Sequence, residues 1–125
     1  TAPHAVSYPF TSIYNVSHGH AVALTLEKFL KFNFLNCEKA NCSFDLKNKY
    51  KNIFDIFSVK NIFELEHSLI KIRQEANLKN DFKKLKIDIH GGIDKIIDGI
   101  NLMRLKNNPI NLNKQDIKTI LLKHN

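Results

Sequence analysis

Three of the six histidines, His4, His18 and His20, fall within the first twenty residues. Neutral imidazole is a common ligand for zinc and ferrous iron, so their spacing decides what they could hold. His4 and Tyr8 are four residues apart and share one face if the segment is helical. His18 follows the polar break Asn15-Val16-Ser17 and stands at the start of a second helix. Two antiparallel helices would bring His4 and His18 together. His18 and His20 are two apart and diverge on one helix, so only one of them is expected to ligate. The alternative is that His4 and His18 are ordinary polar residues near a chain end. His67, His90 and His124 stand singly and read as surface or hydrogen-bonded core histidines. Cys37 and Cys42 lie five apart in a polar connection. They match neither a C-x-x-C motif nor a zinc pair without partners, and read as free thiols.

The elements that must position these residues are helical. Residues 2–14 carry apolar side chains in a loose helical pattern with Pro9 inside it, which implies a kinked or short helix. Ser17 is a candidate N-cap. From Ala21, the residues Val22, Leu24, Leu26, Phe29, Leu30 and Phe32 fill most of the circumference of a largely buried helix. Asp45 caps a helix with Leu46, Tyr50, Ile53, Phe54 and Phe57 inward. Asn61 opens another with Ile62, Leu65, Leu69, Ile72 and Ala76 on one face. Residues 78–89 predict a shorter helix presenting Phe82, Leu85 and Ile87. Gly91-Gly92 predicts a turn. Ile93, Ile96, Ile97, Ile100 and Met103 form the next helical face. Asn107-Asn108-Pro109 is a loop, because the residue before proline is pushed out of helical geometry. Asn113 caps a last helix with Ile117, Ile120 and Leu121 inward. The expectation is an all-α bundle of about six helices, with no strand and no internal repeat.

Composition narrows the partners. With 125 residues the chain is one domain, spanning 1–125. No apolar run approaches the ~18 residues of a membrane span. The net charge of +7 would suit nucleic acid, but the 17 lysines are spread along the chain and no aromatic-basic stripe gathers them. Lysine, asparagine and isoleucine are enriched together, which reads as a bias of the whole chain. Nucleic acid is therefore not an expected partner, although a small basic helical module that binds nucleic acid or protein is the competing class.

The stretch from His4 to Leu24 resembles the metal-binding segment of the iron-containing, group III alcohol dehydrogenases. That family shows a histidine, a variable spacer, then Pro-His-Gly and a small-residue helix start, with the two ligand histidines fourteen apart. His4 and His18 have that separation, and His18-Gly19 runs into Ala21-Val22-Ala23-Leu24. Residues 28–33 and Asn108-Pro109 extend the likeness more loosely over nearly the whole chain. Where the family often has a second histidine, four after the first, Tyr8 stands. Ser7-Tyr8-Pro9 and His18-Gly19-His20 look more like the branch containing phosphonoacetaldehyde reductases. The run 19–23 also echoes the dehydroquinate synthases, which are similar in fold.

The resemblance implies the C-terminal helical half of a metal-dependent enzyme that interconverts an alcohol and an aldehyde or ketone. Fe²⁺, or Zn²⁺ in its place, would be held by His4 and His18 together with an aspartate and a histidine upstream. Tyr8 and His20 are the implied candidates to contact substrate or relay a proton. NAD(P) would be bound by an N-terminal domain that this chain does not contain, and that domain would be its structural partner. The isolated chain is expected to be an inactive piece of a cytoplasmic enzyme, and a homodimer is the expected assembly.

Overall fold

The computed structural model describes residues 2–123. Seven α-helices follow one another: α1 (Ala2–Tyr14), α2 (His18–Leu35), α3 (Leu46–Phe57), α4 (Ile62–Glu75), α5 (Ile89–Asp98), α6 (Leu102–Leu105) and α7 (Lys114–Leu122). A short 3-10 turn, Cys37–Lys39, follows α2. No strand occurs among the described residues. The expectation for His124 lies outside them.

Most helix starts were written in the sequence. The Asp45 carboxylate accepts from Asn48 N–H at 3.2 Å, and the Asn61 side chain accepts from Phe63 and Glu64 N–H at 3.0 Å each. Asn113 and Asp116 close a reciprocal capping box at the head of α7. Ser17 precedes α2 but makes no side-chain cap bond. The break before α2 comes instead from Asn15, which adopts φ 54° in the left-handed region and turns the chain back across α1. Asparagine tolerates that region better than other non-glycine residues.

Pro9 neither ends α1 nor splits it. Its missing N–H leaves the Ala5 carbonyl without its usual helical donor. Asn101 N–H fills that vacancy at 3.2 Å and ties the α5–α6 junction to α1. Gly99 makes the approach possible, since a Cβ there would stand 2.9 Å from Pro9 Cβ. The main core forms around Val6 and Phe10 of α1, Leu24 and Phe29 of α2, Phe82, Ile96 and Leu121. Phe10 stacks on Phe82 at 5.2 Å between ring centres. A second cluster of Leu46, Tyr50, Ile62, Leu65 and Ile110 sits between α3, α4 and the 106–113 loop. Asn33 and Asn108 exchange amide hydrogen bonds of 2.9 Å in the interior, which fixes that loop against α2.

Four sequence expectations are corrected. Residues 78–88 form turns, not a helix. Asn77 and Lys86 both take positive φ, and Ile87 N–H closes onto the Phe82 carbonyl at 2.9 Å. Phe82 and Ile87, five apart, would diverge on a helix, and the turn lets both reach the core. Gly91-Gly92 is not a turn but lies in the first turn of α5, where the Asp88 side chain accepts from Gly91 N–H at 3.0 Å. Met103 is exposed, because Asn101 starts α6 in a new phase and ends the isoleucine face at Ile100. Ile72 and Ala76 are exposed as well, since Arg73 takes the inward position on α4.

Candidate metal centre

The fold brings the two ends of the first helical pair together. α1 carries His4, Ser7 and Tyr8 on successive turns of one face, and the reversal at Asn15 lays the first residue of α2, His18, against that face. His4 Nδ1 stands 3.3 Å from His18 Nε2, and the ring centres are 5.5 Å apart. Both rings are exposed. Beneath them Ser7 is fully buried. Its hydroxyl donates to the His4 carbonyl at 2.7 Å, and its oxygen is 3.0 Å from His18 Nδ1.

The spacing of the two nitrogens can be tested against a metal. Two nitrogen ligands at ~2.0–2.1 Å from a tetrahedral ion lie about 3.3–3.4 Å apart. The His4–His18 separation is that of one edge of such a site. Without metal the same 3.3 Å is a hydrogen bond between the rings, and by spacing these two residues match two positions of a tetrahedral ligand set. Among the described residues no group of three or more His, Cys, Asp or Glu comes together to complete it. Gly19, next to His18, is exposed, and nothing lies within 4 Å of where a Cβ would stand. Packing within this chain therefore does not account for a glycine there, and the space beside His18 is open.

Tyr8 belongs to the same cluster. Its ring meets the His18 ring edge-on, with centres 5.9 Å apart. On another side the Arg104 guanidinium of α6 lies 5.8 Å from the Tyr8 ring centre. Cation–π contact of this kind is within the ~6 Å range where the ring quadrupole attracts. Sequence reading missed Arg104. It is 96 positions from Tyr8, and the one available signal was its being one of two arginines among 17 lysines.

His20 has a different partner. Its Nε2 donates to the Lys79 carbonyl at 2.8 Å, in the irregular segment between α4 and α5. The structure thus groups His4, His18, Tyr8 and Ser7, and engages His20 elsewhere. Behind the site, α2 is held to α4 by an interior ion pair that sequence reading also missed. Arg73 Nη2 donates to Glu27 Oε1 at 3.0 Å, its Nη1 reaches Glu27 Oε2 and the Ala23 carbonyl, and its Nε donates to Asn80 at 2.9 Å.

No curated protein and no solved structure matches the chain significantly. The family model for the C-terminal part of the Fe-containing alcohol dehydrogenases matches residues 1–124. A match over all but the last residue of a chain whose described regular elements are all helices decides the family: the protein belongs to the Fe-containing alcohol dehydrogenases, as their C-terminal domain.

Proposed function

We propose that this chain is the metal-holding domain of an enzyme that interconverts an alcohol and an aldehyde or ketone with NAD(P), and that His4 and His18 are two of the ligands to Fe²⁺ or Zn²⁺. The observation that carries the reading is the 3.3 Å separation of two exposed imidazole nitrogens from different helices. When bound, a divalent metal supplies Lewis acidity toward the substrate oxygen. The chain's own part is to hold two imidazoles at ligand spacing and to keep one side of them open at Gly19. Tyr8, whose ring lies against His18 and Arg104, carries a hydroxyl that can hold or pass a proton to substrate. The bond from His20 to the Lys79 carbonyl supports a role in fixing the 78–88 segment more than a role in proton relay. The remaining ligands and the nicotinamide site are assigned to a partner N-terminal domain. The pattern Ser7-Tyr8-Pro9 with His18-Gly19-His20 favours the phosphonoacetaldehyde reductase-like branch.

The test is metal analysis after dialysis against a mild chelator. In the intact enzyme we expect His4→Ala and His18→Ala each to remove metal and turnover together. Full metal content in the His18→Ala enzyme would overturn the ligand assignment.

A further inference from the structure

We infer that Ser7 is a positioning residue that fixes the proton of His18 on Nδ1 and so leaves Nε2 bare toward His4. The inference rests on the reading of His4 and His18 as ligands. It follows from where one hydroxyl proton can go. Ser7 Oγ lies 2.7 Å from the His4 carbonyl, and a carbonyl can only accept, so the serine proton is committed to that bond. What Ser7 presents to His18 Nδ1, 3.0 Å away, is then a lone pair. A lone pair facing a ring nitrogen requires that the nitrogen carry the proton. A neutral imidazole protonated on Nδ1 has its lone pair on Nε2, and Nε2 is the atom that faces His4.

The same assignment closes a ring of bonds with one direction. His4 Nδ1–H donates to His18 Nε2, His18 Nδ1–H donates to Ser7 Oγ, and Ser7 O–H donates back to the His4 carbonyl. Each donor polarises the next, which strengthens such a ring beyond its separate pairs. Metal-ligating histidines commonly donate their other N–H to a fixed acceptor, which sets ring orientation and raises ligand basicity. Here the acceptor is a serine on the helix that carries the other ligand. It is fully buried and so does not exchange its bonds with water. Metal entry then requires a tautomer change at His4 alone.

The test needs no activity. Long-range proton–nitrogen correlation spectra of the nitrogen-labelled full chain report which ring nitrogen of each histidine is protonated. They would be recorded without metal at about pH 9, well above the ordinary imidazole range. The His18 signals are assigned with His18→Gln. We expect wild-type His18 to be protonated on Nδ1, and Ser7→Ala to abolish that preference with helical circular dichroism unchanged. Ser7→Cys keeps the volume with a poorer acceptor, and should weaken the preference if Ser7→Ala does not fold. A wild-type His18 protonated on Nε2, a preference that survives in folded Ser7→Ala, or one undiminished in Ser7→Cys would overturn the inference. A parallel titration uses Zn²⁺ alone, and Ser7→Ala should weaken its binding by about tenfold. Absence of any Zn²⁺ binding by the wild-type chain would overturn the ligand reading, and with it the purpose assigned to Ser7, whatever the tautomer. Zn²⁺ binding that needs both His4 and His18, with the opposite tautomer, would sink the inference and leave the ligand reading standing.

Discussion

Tyr8 separates packing from chemistry with one atom. Its ring touches His18 and Arg104, while its hydroxyl is the part that could move a proton. In the intact enzyme we expect Tyr8→Phe to preserve metal content and lower kcat by about 10²-fold, the lower range for a positioned acid or base. Unchanged kcat would make Tyr8 a packing residue. Arg73 and Glu27 pose the opposite case, two charges in the interior that serve no metal. Removing one partner leaves the other charge buried and unpaired, so Arg73→Met should destabilise by about 3–5 kcal/mol in urea denaturation. Adding Glu27→Met should recover most of that loss. Lys28 titrates against the fold. Burial, the largest influence, pulls its ammonium below the ordinary lysine value of 10.5; Glu27 and Glu66 oppose this, while Arg73 and Lys31 add to it. Between its folded value and 10.5 the folded state binds fewer protons than the unfolded chain, so this group's contribution to stability rises with pH. Lys28→Met should therefore stabilise the protein at pH 7, by an amount that shrinks as pH approaches 10.5. Denaturation of both proteins across that range is the check, and an advantage that grows with pH would refute it.

At the scale of elements, α1 depends on an exchange of partners at Pro9. The carbonyl that proline leaves without a helical donor is satisfied by Asn101, and Gly99 lets the α5–α6 junction come close enough to do so. We expect Gly99→Ala to destabilise by about 1–3 kcal/mol, as overpacking does, because the obstructing atom is a proline ring carbon on a helix that cannot swing aside. Gly92 differs. A Cβ there would meet the Tyr14 hydroxyl at 2.0 Å, which is the far end of a side chain able to rotate. Gly92→Ala should be the milder substitution in thermal denaturation, and a larger loss at Gly92 than at Gly99 would contradict the account. The α5–α6 junction also matters to the site, because α6 delivers Arg104 to the ring of Tyr8.

For the whole molecule, the proposed site takes two of its ligands from this chain, and that shapes what the chain can do alone. Two imidazoles without a carboxylate do not offset the charge of a divalent ion, so we expect weak binding and loss of metal on dialysis. We expect no NAD(P)-linked alcohol oxidation from the pure chain, and detection of such turnover would refute the division of labour proposed with an N-terminal domain. No helix among the described residues is long and apolar enough to cross a membrane.

The sequence alone determined what is local. Side-chain caps at Asp45, Asn61 and Asn113 fixed three helix starts, because such a cap needs only a donor two or three residues ahead. The apolar period fixed the core residues Ile93, Ile96 and Ile97 of α5, and the resemblance of the His4–His18 stretch to the family's metal-binding segment picked out those two histidines. Tertiary structure decided whatever depends on chain segments far apart. The 78–88 segment gave up helix so that both Phe82 and Ile87 could reach a core built mainly by other elements. Arg73 displaced Ile72 from the interior because Glu27, 46 positions away, was there to bind it. His20, two residues from His18, was taken by a carbonyl 59 positions on. Periodicity reports which way a side chain points along its own helix. It carries no information about which charge, carbonyl or ring another segment will place there, and those partners separate the paired imidazoles of the site from the histidine beside them.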